Sequence, residues 1–73
     1  MMEFVVAVSA QSITDMNAER YYELHIKAAS KELALQKAKE HVSGWYIHSA
    51  HFDVLPPNRQ TAVKGSMCYV EVP

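Results

Sequence analysis

RYYELHIKAASKELALQKAKEHVSGWYIHSAHFDVL, residues 20–55, changes period twice, and those two changes decide the fold. Residues 20–27 alternate, with Tyr22, Leu24 and Ile26 on one side and Tyr21, Glu23, His25 and Lys27 on the other. That spacing predicts a strand covered on one face. From Lys31 to Val42 the apolar positions move to Ala34, Leu35, Ala38 and Val42, the stripe of a helix that faces a core. Ser30 is the expected N-cap, and Glu32 lies in the first turn, where the helix dipole favours an acid. Ser43-Gly44 is the expected stop, with the glycine left-handed. Residues 45–55 return to strand character, but the phase slips. Trp45 and Ile47 share one parity, Ala50, Phe52 and Val54 the other, and a bulge near Ser49 reconciles them.

Upstream, residues 3–9 are valine-rich and apolar on both sides, which predicts a first strand inside the sheet. A polar segment follows over residues 10–19, with Asp15 and Asn17 as turn residues. Downstream, Pro56-Pro57 ends the third strand because neither proline can donate to a ladder. Asn58-Arg59 begins a loop in which Thr61 to Lys64 is the expected short extended piece. After Gly65, SMCYVEV predicts a last strand with Cys68, Val70 and Val72 on one side. The order is β-β-α-β-β: an α+β domain with one helix packed on one face of a mostly antiparallel four-stranded sheet. The helix carries the chain back along the sheet, so the third strand runs parallel to the second, with the first between them.

Seventy-three residues make a single domain, 1–73. Hydrophobic residues at 49% and charged residues at 21% are ordinary for a globular chain. No apolar run reaches the roughly 20 residues of a membrane span, and the acid at Glu3 does not fit a secretory leader. One cysteine permits no internal disulfide and fits a cytoplasmic setting. A net charge of -1 provides no strong electrostatic grip on nucleic acid.

Chemistry-bearing patterns are sparse. His48 and His51 have an H-x-x-H spacing that His41 and Cys68 could extend to a zinc set, but i and i+3 fall on opposite sides of a regular strand. Half-exposed strand histidines are the simpler reading, and no metal or cofactor is expected. Asp53 and Glu71 are a conceivable carboxylate pair across strands. Cys68 reads as a small buried hydrophobe beside Val70 and Val72. With two glycines in the chain there is no phosphate loop or nucleophile elbow, and no enzyme is expected. Tyr21, Tyr46 and Tyr69 are placed to stack bases, as on RNA-binding sheets. The seven basic residues are scattered among eight acids, so direct nucleic-acid binding is not the favoured reading.

Protein binding remains. One helix covers one face of the sheet, leaving the other for solvent or a partner. The expected partner-binding residues there are Tyr21, Glu23, His25, Tyr46, His48 and Tyr69, with Met67 beside them. An exposed edge strand is a second mode of contact.

The strand, the helix with Ala28, Ser30, Ala34 and Ala38, and the aromatic opening Trp45-Tyr46-Ile47 resemble small proteins encoded in phage genomes. The likeness covers residues 20–55, about half the chain. In length and charge the chain looks most like phage regulators that bind host RNA polymerase. The resemblance implies a monomer in the host cytoplasm that contacts a polymerase subunit, hindering initiation or promoting antitermination. The alternatives are a phage inhibitor of a host defence system, CRISPR or restriction, and a small single-stranded nucleic-acid-binding domain.

Overall fold

The computed structural model describes residues 1–12, 19–44 and 46–73, without the side chains of residue 12 and of residues 46–49. Strand β1 spans Met2–Ser12, β2 Glu19–Ala28, helix α1 Lys31–His41, β3 Tyr46–Leu55 and β4 Tyr69–Val72. A 3-10 turn, Pro57–Arg59, follows β3. The fold is α+β, as the alternation and the helical stripe predict. The sheet order is β3-β1-β2-β4. Strand β1 is antiparallel to both neighbours, and β4 adds to β2 in parallel.

A central β1 accounts for its sequence. Val5, Val6, Ala7 and Val8 are all buried, because this strand is covered on both faces and alternation has nothing to select. On the helix side, Val6, Val8, Ala10, Leu24, Ile26, Ala28, Ala34, Ala38 and Val42 form the main core. Phe4, Tyr22, Leu35, Phe52, Val54, Val70 and Val72 pack at its margin. Burying a side chain such as Leu24 or Ile26 contributes about 1.5–3 kcal/mol, so these few residues carry much of the stability of a chain this short.

Local signals set the ends of α1. Ser30 is extended, and its hydroxyl accepts from the Leu33 N–H at 3.3 Å. Glu32 sits in the first turn, Lys39 and His41 in the last, each complementing the dipole. The Lys37 ammonium donates to the Lys27 carbonyl at 2.9 Å, tying the helix to the end of β2. Lys39 Nζ lies 5.9 Å from the centroid of the Phe52 ring. The C-terminus departs from expectation. Val42, at φ -100° and ψ 8°, leaves the helix through a turn while its N–H bonds Ala38 at 3.1 Å. Gly44 is therefore not left-handed; the glycine with positive φ is Gly65, at 92°.

The β1–β3 register shifts between the pairs Ala10↔Ala50 and Ser12↔Tyr46, which is where the phase slip around Ser49 puts an irregularity. The turn residues Asp15 and Asn17, the Trp45 position, and the side chains of Tyr46, Ile47, His48 and Ser49 lie outside the described residues. Strand β4 is shorter than predicted, because residues 66–68 are still in turns. Thr61 to Lys64 is not a strand.

Candidate protein-interaction face

Strands β3 and β4 occupy opposite edges of the sheet, so the chain between them must cross β1 and β2. Helix α1 fills one face, and residues 56–68 cross the other. The crossover through α1 runs from β2 toward β3 on one face, and the second runs back on the opposite face. Reversing both direction and face keeps the same hand, as the general preference for one handedness requires.

Glu23 anchors this strap. It projects from β2 on the side away from α1 and has 0% of its surface exposed. Four donors converge on its carboxylate. Thr61 N–H donates at 3.1 Å to Oε1, Ala62 N–H at 3.2 Å to Oε1, Thr61 Oγ1 at 2.6 Å and Tyr21 Oη at 2.9 Å to Oε2. Burial pushes the Glu23 carboxyl up, but the hydrogen bonds from Thr61, Ala62 and Tyr21 outweigh it and hold the group below its ordinary value. The Tyr21 phenol is raised, by burial and by its bond to the Glu23 carboxylate. The Glu23 N–H also donates to the Cys68 carbonyl at 2.7 Å, where the strap returns to the sheet. Val5, Ala7 and Leu55 form a small second cluster on this face.

Glu23 therefore departs from its expected place. It is not a surface contact for a partner, because the chain's own strap covers it. The sheet face opposite the helix is only partly open. Nothing local in RYYELHIK foreshadows the strap, since its residues Thr61 and Ala62 lie 38 and 39 residues away.

The rest of the face opens beyond the strap. The His25 and Tyr69 rings stack with centroids 4.0 Å apart and planes 29° off parallel. Adjacent parallel strands present them side by side, with Glu23↔Tyr69 and His25↔Glu71 in register. His25 Nδ1 is 3.9 Å from Glu3, and its Nε2 is enclosed without a hydrogen-bond partner among the described residues. Glu71 takes Lys64 at 3.5 Å and accepts from Tyr69 Oη at 3.4 Å. Burial and the Glu71 charge raise the Tyr69 phenol. An open groove of about 530 Å³ runs here, lined by Glu3, His25, Lys27, Tyr69, Glu71, Val72 and Pro73. Tyr21 is 40% exposed and Met67 89%.

Of the expected contact residues, the structure brings His25 and Tyr69 together and places Tyr21 on the same face across Glu23. Tyr46 and His48 lie outside the described side chains. Asp53 and Glu71 cannot form a carboxylate pair, because β1 and β2 separate their strands. Among the described residues no three of His, Cys, Asp and Glu are grouped to hold a metal ion. No described helix is long and apolar enough to cross a membrane. No family model, curated protein or solved structure matches the chain.

Proposed function

We propose that this chain is a protein-interaction module that acts by occupying a surface of its partner, and that the partner is a host RNA polymerase subunit. The His25–Tyr69 stack carries the interaction reading. It is an aromatic pair at the floor of a groove, held rigid by two hydrogen-bonded strands and edged by charged side chains. Aromatic anchors ringed by polar groups are the usual centre of a protein interface. Tyr21 and Met67 precede the Glu23↔Tyr69 pair on their two chain segments, at one end of the groove, and both are exposed there. The polymerase assignment rests on the resemblance of residues 20–55 to small phage-encoded proteins and on a length and charge like those of phage polymerase regulators, and with it the proposed regulation of initiation or antitermination in the host cytoplasm. Glu3 and Glu71 flank the groove and disfavour a phosphate backbone there, which sets the nucleic-acid alternative behind a protein partner.

The test is direct binding to purified bacterial RNA polymerase by interferometry, with Tyr69→Ala and Tyr69→Glu as variants. Binding that weakens about ten- to a hundredfold in Tyr69→Ala and disappears in Tyr69→Glu, with unchanged circular dichroism, is the expected result. No binding of the wild type at roughly ten micromolar, a weak affinity for a regulator, would sink the polymerase assignment. Polymerase binding that ignores both substitutions would move the interface off this groove.

A further inference from the structure

Strand β3 is an edge strand of ten residues, and among the described residues no strand pairs with its outer side. The other edge, β4, has only four residues. Natural edges are blunted by shortness, proline or lysine. Strand β4 follows that rule, whereas YIHSAHFDVL contains no proline, lysine, arginine or glycine and its one register irregularity lies before Ala50. Its regular part, from Ala50 to Leu55, pairs without interruption with β1 on the inner side.

We propose that β3 pairs with β3 of a second copy of this chain, antiparallel about a two-fold axis through Phe52, joining two sheets into one. The charge pairing on the exposed side and the apolar pairing on the helix side point to a second copy and to that register. Paired residues in a sheet share a face, so a two-fold perpendicular to the sheet must lie midway between the two copies of one residue, which pairs with itself, and not level with a peptide bond. Centred on Asp53, the pairing sets two carboxylates against each other; centred on His51, it sets imidazole against imidazole. Centred on Phe52, it sets His51 of each copy opposite Asp53 of the other, twice over, a donor facing a carboxylate on the exposed side.

The helix side agrees with the same register. Ala50, Phe52 and Val54 are only half-buried, although they belong to the margin of the core. About the Phe52 axis, the two phenylalanines meet and each Ala50 faces a Val54, small against large, which extends the apolar layer across the join. The proposed dimer differs from the monomer expected from the sequence. It uses a different surface from the His25–Tyr69 groove and stands independently of the polymerase reading.

Sedimentation equilibrium of the full chain and its variants tests the pairing. Wild type is expected as a dimer. His51→Glu and Asp53→Lys each place like charges or mismatched groups across the axis, and each should raise the dissociation constant about ten- to a hundredfold. The double variant His51→Glu/Asp53→Lys restores opposite charges across the two-fold and should regain the dimer. His51 and Asp53 are exposed, so all three variants should keep the wild-type circular dichroism. A wild type that stays monomeric at roughly millimolar concentration overturns the proposal and leaves the edge to a foreign strand. A dimer indifferent to both single substitutions, or not regained in the double variant, overturns the register and the β3 interface with it.

Discussion

The two faces of this sheet are closed by different physics. On one, α1 lays Ala34, Ala38 and Val42 over Leu24, Ile26, Val6 and Val8, a contact without direction whose strength follows the area removed from water. On the other, a strap without regular structure beyond one 3-10 turn is fastened by the Glu23 carboxylate. The difference teaches where each face can vary. An apolar layer degrades by increments as atoms are removed. A polar clamp is nearly all or none, because losing the one buried acceptor takes the partner from several donors at once.

The largest effect is expected on the helix side. Leu24 is fully buried, and Leu24→Ala should cost about 3–5 kcal/mol, much of the stability of so small a domain. Urea unfolding measures it, and a loss under about 1 kcal/mol would show that the core collapses around the gap.

Glu23→Ala should come next, at about 2–4 kcal/mol, since the donors of Thr61, Ala62 and Tyr21 lose their acceptor. Thr61→Ala alone should cost about 1–2 kcal/mol and add almost nothing in the Glu23→Ala background, the signature of a shared network. Full additivity of the two would show that the strap is held by something else. Proteolysis within residues 60–64 should speed up in Glu23→Ala but not in a core variant adjusted to equal stability.

The clamp also predicts a pH dependence of definite sign. The carboxyl of Glu23 lies below its ordinary value when folded, so the unfolded chain takes up the proton more readily. Its contribution is complete above the unfolded value of about 4.5 and is lost as pH falls through the lower folded value. The gap in unfolding free energy between wild type and Glu23→Gln should therefore be constant from pH 7 to about 5.5 and narrow toward pH 3. Other carboxyls titrate alike in both proteins and cancel in the difference. A gap independent of pH would mean that charge on Glu23 is irrelevant to the strap.

The two faces were also unequally legible in the sequence. Alternation in β2 and the stripe of α1 place Leu24, Ile26, Ala34 and Ala38 correctly, because an apolar layer declares itself by local period. The crossover through α1 further limits where β3 can lie, so a central β1 was within reach. The strap was not. Glu23 occupies an outward position in a clean alternating strand, where solvated acids are common, and its partners Thr61 and Ala62 belong to a stretch without periodicity. Only the strand order, with β3 and β4 on opposite edges, forces the chain across that face, and four residues of β4 are too few to announce their place. The stack of His25 on Tyr69 was half legible: parity puts both on one face, but only the β2–β4 register brings the rings together.

The smallest effects test what the uncovered part of the strap face is for. His25 Nε2 is enclosed without a partner among the described residues, which is a cost to the fold, while the ring itself packs on Tyr69. His25→Phe keeps a stacked ring and removes the unsatisfied nitrogen, so it should stabilise the domain by about 1 kcal/mol. Glu71→Gln, at an exposed carboxylate paired with an exposed lysine, should change stability by no more than about 0.5 kcal/mol. If the groove served only the fold, a phenylalanine at position 25 would be an improvement without drawback. A recognition site makes the opposite demand, because the imidazole beside Glu3 offers polarity that phenyl does not. A variant that unfolds at higher temperature yet binds its partner less well would identify His25 as a residue kept for contact. A variant that unfolds earlier would mean that Nε2 has a partner in solution, and the ring would then belong to the fold, like Glu23 beside it.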